Sequence, residues 1–207
     1  MKRPVAKDHP DRESRQEPGS TQQPRQPRVL HLLLALGETS SPYNEHCLPM
    51  ADERTITVCT FFSPTIRTAS GIRVFPGNGS LRGFVRALRT SLSAGPYDAV
   101  HAHSPHVAFL YLLVTLFRSK EDLPPSVFTV HTSFPNCKLR NRLLMLPVFA
   151  LFGTVVACGQ ASAESFPRLF RWLVGNRLCV VPNSVDLDRV DRVLRTLPRR
   201  ADNDPLT

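Results

Sequence analysis

The sequence has no Cys-x-x-Cys pair, no glycine-rich phosphate loop, no apolar run of bilayer length, and few acidic residues for its basic ones. Each absence removes a class of protein. Cys47, Cys59, Cys137, Cys158 and Cys179 are odd in number and far apart. Neither a disulfide framework nor a structural zinc motif is expected from them, and they read as small core residues of a reduced, cytosolic protein. Neither GxGxxG nor GxxxxGK followed by Ser or Thr occurs, which argues against a dinucleotide fingerprint and a P-loop. No GxSxG elbow occurs either, so a hydrolase triad is not supported. The longest apolar stretches are Val107–Phe117 and Leu143–Cys158, the second broken by Pro147 and Gly153. A membrane-spanning helix needs about 20 such residues, so none is expected.

What is present is a 42% hydrophobic chain of 207 residues, enough for one domain with tails. Lys and Arg number 26 against 17 Asp and Glu, a net charge of +9 that favours an anionic partner. No nucleic-acid-binding motif accompanies the charge, and no nucleic acid is expected. Arg82, Arg86 and Arg89, with Lys138, Arg140 and Arg142 ahead of an apolar run, suit an anionic membrane surface. Solvated helix faces are the simpler reading of the same residues.

Met1–Pro27 is polar, rich in Pro, Gln and Ser, and reads as a disordered leader without the apolar stretch of a signal peptide. Seven strand-length apolar runs follow: Val29–Leu34, Thr55–Phe62, Ile72–Phe75, Ala99–Ala102, Val127–Val130, Thr154–Ala157 and Leu178–Val181. Helical patterns separate several of them, at Ser80–Ala94, Pro105–Arg118, Lys138–Phe152 and Ala161–Leu173, and Asp188–Leu197 is a further candidate. In the first, Leu81, Phe84, Val85, Leu88 and Leu92 share a face, and Ser80 is placed to cap it. Continuous apolar strands alternating with helices predict an α/β domain with a Rossmann-like, doubly wound parallel sheet.

In such sheets ligands bind beyond the carboxyl ends of the strands. The polar loops there are Gly37–His46, His103–His106, His131–Phe134, Gly159–Ser162 and Pro182–Asp186. Gly37 with the hydroxyl residues after it is either an anion-facing loop or a tight turn. His101 and His103 point the same way on a strand, with His106 nearby, but no acidic ligand is close in sequence and no metal is assigned. His131 ends a buried strand, where its ring can donate to a ligand oxygen or simply cap a loop. Asn183 and Asp186 suit an Asx turn.

Four segments in this order, YDAVHAHSPH, SVFTVHTSF, FGTVVACGQASAESF and LCVVPNSVDLDRV, resemble the N-terminal domain of a GT-B glycosyltransferase of the family 4 type. The resemblance covers about residues 28–190, between the leader and a C-terminal tail from 191. It implies the acceptor-binding half of a retaining enzyme that moves a sugar from a nucleotide-sugar donor to a sugar or lipid-linked acceptor, without cofactor or metal. It implies that His131 is catalytic, near the donor sugar. It further implies that Gly37, Glu38, Thr39, Ser40, Asn44, His103, Thr132, Asn183 and Asp186 line the cleft. Two departures stand out: Glu38 follows Gly37 where the family often has a second glycine, and Ser184 replaces the glycine of PNGVD.

The resemblance does not extend to the donor-binding half of such an enzyme, whose Glu-x7-Glu motif lies in its C-terminal domain. The chain by itself is therefore expected to be inactive. A separate C-terminal GT-B domain is an expected partner if the chain is a split or truncated transferase. A non-catalytic binding or scaffold module of the same fold is the alternative. The implied location is cytoplasmic, with the inner membrane face as a peripheral site.

Overall fold

The structure is a computed structural model that describes residues 25–183 and 187–196. The leader up to residue 24, Asp186 and the tail after residue 196 lie outside the described residues. Seven strands form: β1 Arg28–Leu33, β2 Thr55–Thr60, β3 Arg73–Pro76, β4 Ala99–Ala102, β5 Ser126–Val130, β6 Thr154–Ala157 and β7 Leu178–Val180. The helices are α1 Leu81–Ser93, α2 Pro105–Thr115, α3 Leu139–Leu151, α4 Gln160–Glu164, α5 Arg168–Val174 and α6 Leu187–Thr196. The strands make one sheet in the order β3-β2-β1-β4-β5-β6-β7, and every neighbouring pair is parallel. This is the expected Rossmann-like α/β sheet. Its winding reverses between β1 and β4, and that crevice is where such sheets place a ligand.

Side-chain alternation divides the core. Leu30, Leu32, Cys59, Val100, Ala102, Phe128, Val130, Val155 and Ala157 join α1, α2, α3 and α5 residues in one large buried cluster. The opposite face carries a smaller one, built from Leu33, Leu36, Ile56, Val58 and Ile72 with Tyr43 and Cys47. Tyr43 and Cys47 belong to a short π-helical segment, Tyr43–Cys47, in the loop after β1.

The helices differ from expectation where local chemistry decides. Ser80 caps α1 as expected, its Oγ accepting from Gly83 N at 3.0 Å. The buried face is Phe84, Ala87, Leu88 and Ser91 rather than one starting at Leu81, because the first turn projects into solvent. The expected helix Ala161–Leu173 is two, α4 and α5, with Pro167 at the break, since proline cannot continue the backbone ladder. Arg177, just before β7, donates to the carbonyls of Phe149 (2.8 Å), Leu173 (2.6 Å) and Phe152, joining the carboxyl ends of α3 and α5. At the sheet's amino edge, Pro27 already accepts from Thr55 N at 2.9 Å, and Arg28 N donates to Asp98 Oδ2 at 2.7 Å. Cys47, Cys59 and Cys137 are buried, Cys158 is half-buried and Cys179 is exposed, all as free thiols. No helix among the described residues is long and apolar enough to cross a membrane.

The turn from β3 into α1 depends on Gly77. Its N donates to Thr60 O at 2.7 Å, and a Cβ there would sit 2.8 Å from both Phe61 O and the Cα of Phe84. Both neighbours are backbone and cannot step aside. Gly77→Ala is expected to lower stability by about 1–3 kcal/mol, the usual cost of overpacking. Urea unfolding of the two chains measures it, and an unchanged midpoint would contradict the close approach.

Candidate functional site

The carboxyl ends of β1, β4 and β5 lie side by side, so the residues that follow them share one edge of the sheet. Register does the first part of the assembly. His31 on β1 pairs with His101 on β4, and paired residues of parallel strands project from the same face. His103 lies two residues beyond His101, on the same side. His131 follows β5, which pairs with β4. His46 reaches the group from the π-helical segment. Five of the seven histidines of the chain therefore meet at the switch in strand order.

The rings are bonded in a row. His31 Nδ1 lies 3.0 Å from His103 Nε2, and His103 Nδ1 lies 3.2 Å from His131 Nε2. Beyond them, His131 Nδ1 faces the Cys158 thiol at 3.7 Å. His101 stands beside the row, its ring centroid 3.9 Å from that of His103 and its Nε2 2.7 Å from Thr129 Oγ1. His46 stacks on His103 with centroids 5.2 Å apart, yet its Nε2 is shielded from solvent and has no hydrogen-bond partner among the described residues.

Burial sets the charge of this group. A charged imidazole in an apolar sheet face loses its hydration, so the neutral form is favoured. His31 is lowered to about 3, first by burial and then by His46. His101 and His103 fall well below the usual imidazole value, again by burial first and then by repulsion from the neighbouring rings. His131 is lowered by burial and by His46, with Glu45 acting the other way, and His46 is lowered by burial against the same carboxylate. Burial raises the Cys158 thiol, with Glu45 adding to the effect. At neutral pH the cluster is a set of neutral donors and acceptors.

The expected loop residues separate into those that face outward and those used by the loop itself. Gly37 is a tight turn: its carbonyl accepts from Ser40 N at 3.0 Å, and a Cβ would meet Thr65 Oγ1 at 2.9 Å. Ser40 also bonds Ala35 O at 3.3 Å, and Asn44 Nδ2 bonds Glu38 O at 2.8 Å. Glu38 and Thr39 side chains are exposed, as is Thr132, whose carbonyl accepts from Ser162 Oγ at 3.3 Å. Asn183 is exposed after the edge strand β7, three strands along the sheet from β4. Asp186 lies outside the described residues. His106 leaves the histidine group. It lines a groove of about 390 Å³ with Leu34, Phe61, Phe62, Phe109 and Arg140.

His31, His46, Thr129 and Cys158 were not expected members. The one signal for His31 is its interruption of the apolar run of β1. Nothing in the spacing brings in His46, because its approach depends on a π-helical turn.

An all-parallel sheet wound in this order, with polar loops gathered at its central carboxyl ends, defines a Rossmann-like α/β domain with its ligand crevice at the switch in strand order. The profile of Glycosyltransferase Family 4 matches residues 48–189, and the chain belongs to that family. Solved structures agree on the fold. A sucrose-phosphate synthase from Thermosynechococcus elongatus is 11% identical with a TM-score of 0.55, covering 81% of this chain and 95% of that one. A second, longer chain of a sucrose-phosphate synthase from the same organism is 12% identical with a TM-score of 0.57, covering 84% of this chain. This protein spans 53% of that longer chain. A search of curated proteins returns no match.

The buried neutral rings make stability depend on pH in a defined direction. Their folded pKa values lie below the unfolded one of about 6.5, so between the two the unfolded chain binds more protons. Their contribution is full above that value and is lost as pH falls toward the folded pKa, which for His31 is about 3. His46, His101 and His103 face His31 and reinforce the trend. Each such group costs about 1.4 kcal/mol per pH unit in the window. Urea unfolding from about pH 7 to about pH 5, in the presence of a chelator and where most carboxylates stay ionised, is expected to show uptake of more than one proton. A flat profile would contradict the neutral cluster.

Proposed function

We propose that the chain is the acceptor-binding half of a retaining glycosyltransferase that takes its sugar from a nucleotide-sugar donor. The observation that carries the reading is the hydrogen-bonded pair His103–His131 at the sheet's switch point, in a chain of Glycosyltransferase Family 4. His131 is half-buried, with one nitrogen on His103 and the other toward Cys158, so its ring is held in a fixed orientation beside the cleft. With Nε2 on His103, Nδ1, which faces the Cys158 thiol only at 3.7 Å, is the nitrogen that contacts the reacting sugar. Glu38, Thr39 and Thr132 offer exposed polar groups along the same edge, and Gly37, Ser40 and Asn44 shape the loop that presents them. Asn183, exposed after β7, stands on the approach to a second domain.

The groove lined by Leu34, Phe61, Phe62 and Phe109, with His106 and Arg140 at its polar side, suits an acceptor with an apolar portion and an anionic group. A lipid-linked acceptor has that chemistry, and it accords with peripheral residence on an anionic membrane face. Exposed Leu139, Leu143 and Arg140 on α3 would meet the same surface. A retaining transfer also needs electrostatic stabilisation of the leaving diphosphate. That role falls to a C-terminal GT-B domain facing the cleft.

The test pairs the full chain with a family 4 C-terminal domain in trans and follows transfer of labelled sugar from a panel of nucleotide sugars. Transfer is expected from the pair and not from the chain alone. In the active pair, His131→Ala is expected to lower kcat by about 10-fold or more, the worth of one hydrogen bond to a charged group, with a smaller change in acceptor KM. Robust transfer by the chain alone, or full activity of the variant, would overturn the assignment.

A further inference from the structure

The histidine cluster contains more ligating nitrogen than sugar transfer requires, and its arrangement has a chemistry of its own. Two triads each place one ring nitrogen per residue within 4.8 Å of the others: His31 with His101 and His103, and His46 with His103 and His131. The first is closed. His31 and His103 are buried at 4% and 7% exposure, and His101 Nε2 is engaged by Thr129 Oγ1 at 2.7 Å. The second is half-buried at His46 and His131, so an ion can reach it.

We propose that His46, His103 and His131 bind one divalent transition-metal ion of the zinc class, with the fourth position left to water or an anionic oxygen. Three distances support this. Tetrahedral zinc with Zn–N bonds of about 2.05 Å separates its ligand atoms by about 3.3 Å. His103 Nδ1 and His131 Nε2 are already 3.2 Å apart. The far nitrogens of both rings also have the partners that metal-bound imidazoles require. His103 Nε2 is 3.0 Å from His31 Nδ1, and His131 Nδ1 is 3.7 Å from Cys158 Sγ.

The tautomers then follow. With the ion bound, His103 carries its proton on Nε2 and donates to His31, while His131 carries its proton on Nδ1 and donates toward Cys158. Without the ion, either His103 Nδ1 or His131 Nε2 carries the proton of the hydrogen bond between them; on metal binding that tautomer shifts, and the lone pairs of both nitrogens face the cation. The orphaned Nε2 of His46 adds an independent sign. A buried polar atom without a partner is costly and asks for a ligand. Glu45, whose charge is felt at His46, His131 and Cys158, supplies compensating negative charge. The ligand set is imidazole-rich, which favours zinc, cobalt or nickel over magnesium or calcium.

The experiment titrates the chelator-treated full chain with Co²⁺ and follows visible absorption, then adds Zn²⁺. The expected result is uptake of one ion per chain with the intense absorption of a four-coordinate site, displaced by Zn²⁺, and a raised Tm with either metal. His46→Ala and His131→Ala should each weaken binding by more than ~10-fold, and Cys158→Ala, which removes an outer partner, by about 10-fold. His106→Ala, on the separate groove, should bind as the parent does. If His131→Ala fails to fold, His46→Ala on the loop segment carries the test. Absence of uptake, a weak six-coordinate spectrum, or equal binding by the His46 and His106 variants would overturn the proposal. Sugar transfer by the reconstituted pair without metal uptake would overturn it too, while leaving the transferase reading intact.

Discussion

The site rests on one constraint: polar rings placed on the buried face of a parallel sheet must satisfy one another. His31 and His103 are buried, so each depends on the next imidazole, and the row passes from β1 through β4 to the end of β5. Strand register puts His31 opposite His101, and that register in turn rests on the apolar residues alternating with them. A slip by one residue would turn the rings into the large core and expose Leu30, Leu32, Val100 and Ala102. Fold and site are specified by the same alternation.

This coupling explains the division of labour between the two faces. The large cluster, with α1, α2, α3 and α5, carries most of the apolar burial. The smaller one is completed by the loop segment containing Tyr43 and Cys47, which brings His46 over the central strands. Tyr43 also accepts from Ala69 N at 3.0 Å, so the segment is tied to the chain beyond β2. The side of the domain that carries the histidine cluster is thus the side with less helical cover.

Much of the fold was legible in the residues. Each of the seven apolar runs became a strand, displaced by two residues at most, because buried parallel strands leave continuous apolar stretches that little else produces. Helix breaks were harder to place: Pro167 divides one pattern, while Pro147 is tolerated inside α3. Of the site, the sequence pointed to His103 and His131 through their position after strands. It also grouped His106 with His101 and His103, since nearness along the chain says nothing of the turn into α2 that carries His106 to another groove. His46 and Cys158 belong to separate loops, and only the packed sheet brings them near the same ring.

Arg177 has a consequence for how the chain leaves the sheet. Its guanidinium joins the ends of α3 and α5 one residue before β7 begins. The outermost strand is three residues long and has one sheet neighbour, so its own ladder holds it weakly. The polypeptide therefore enters its edge strand from a turn held by a single cation between two helix ends, and pairing with β6 continues to Val181, whose N donates to Ala157 O at 3.0 Å. The edge strand thus shares its starting point with the ends of two helices, and α3, α5 and β7 are indexed to one another through one side chain.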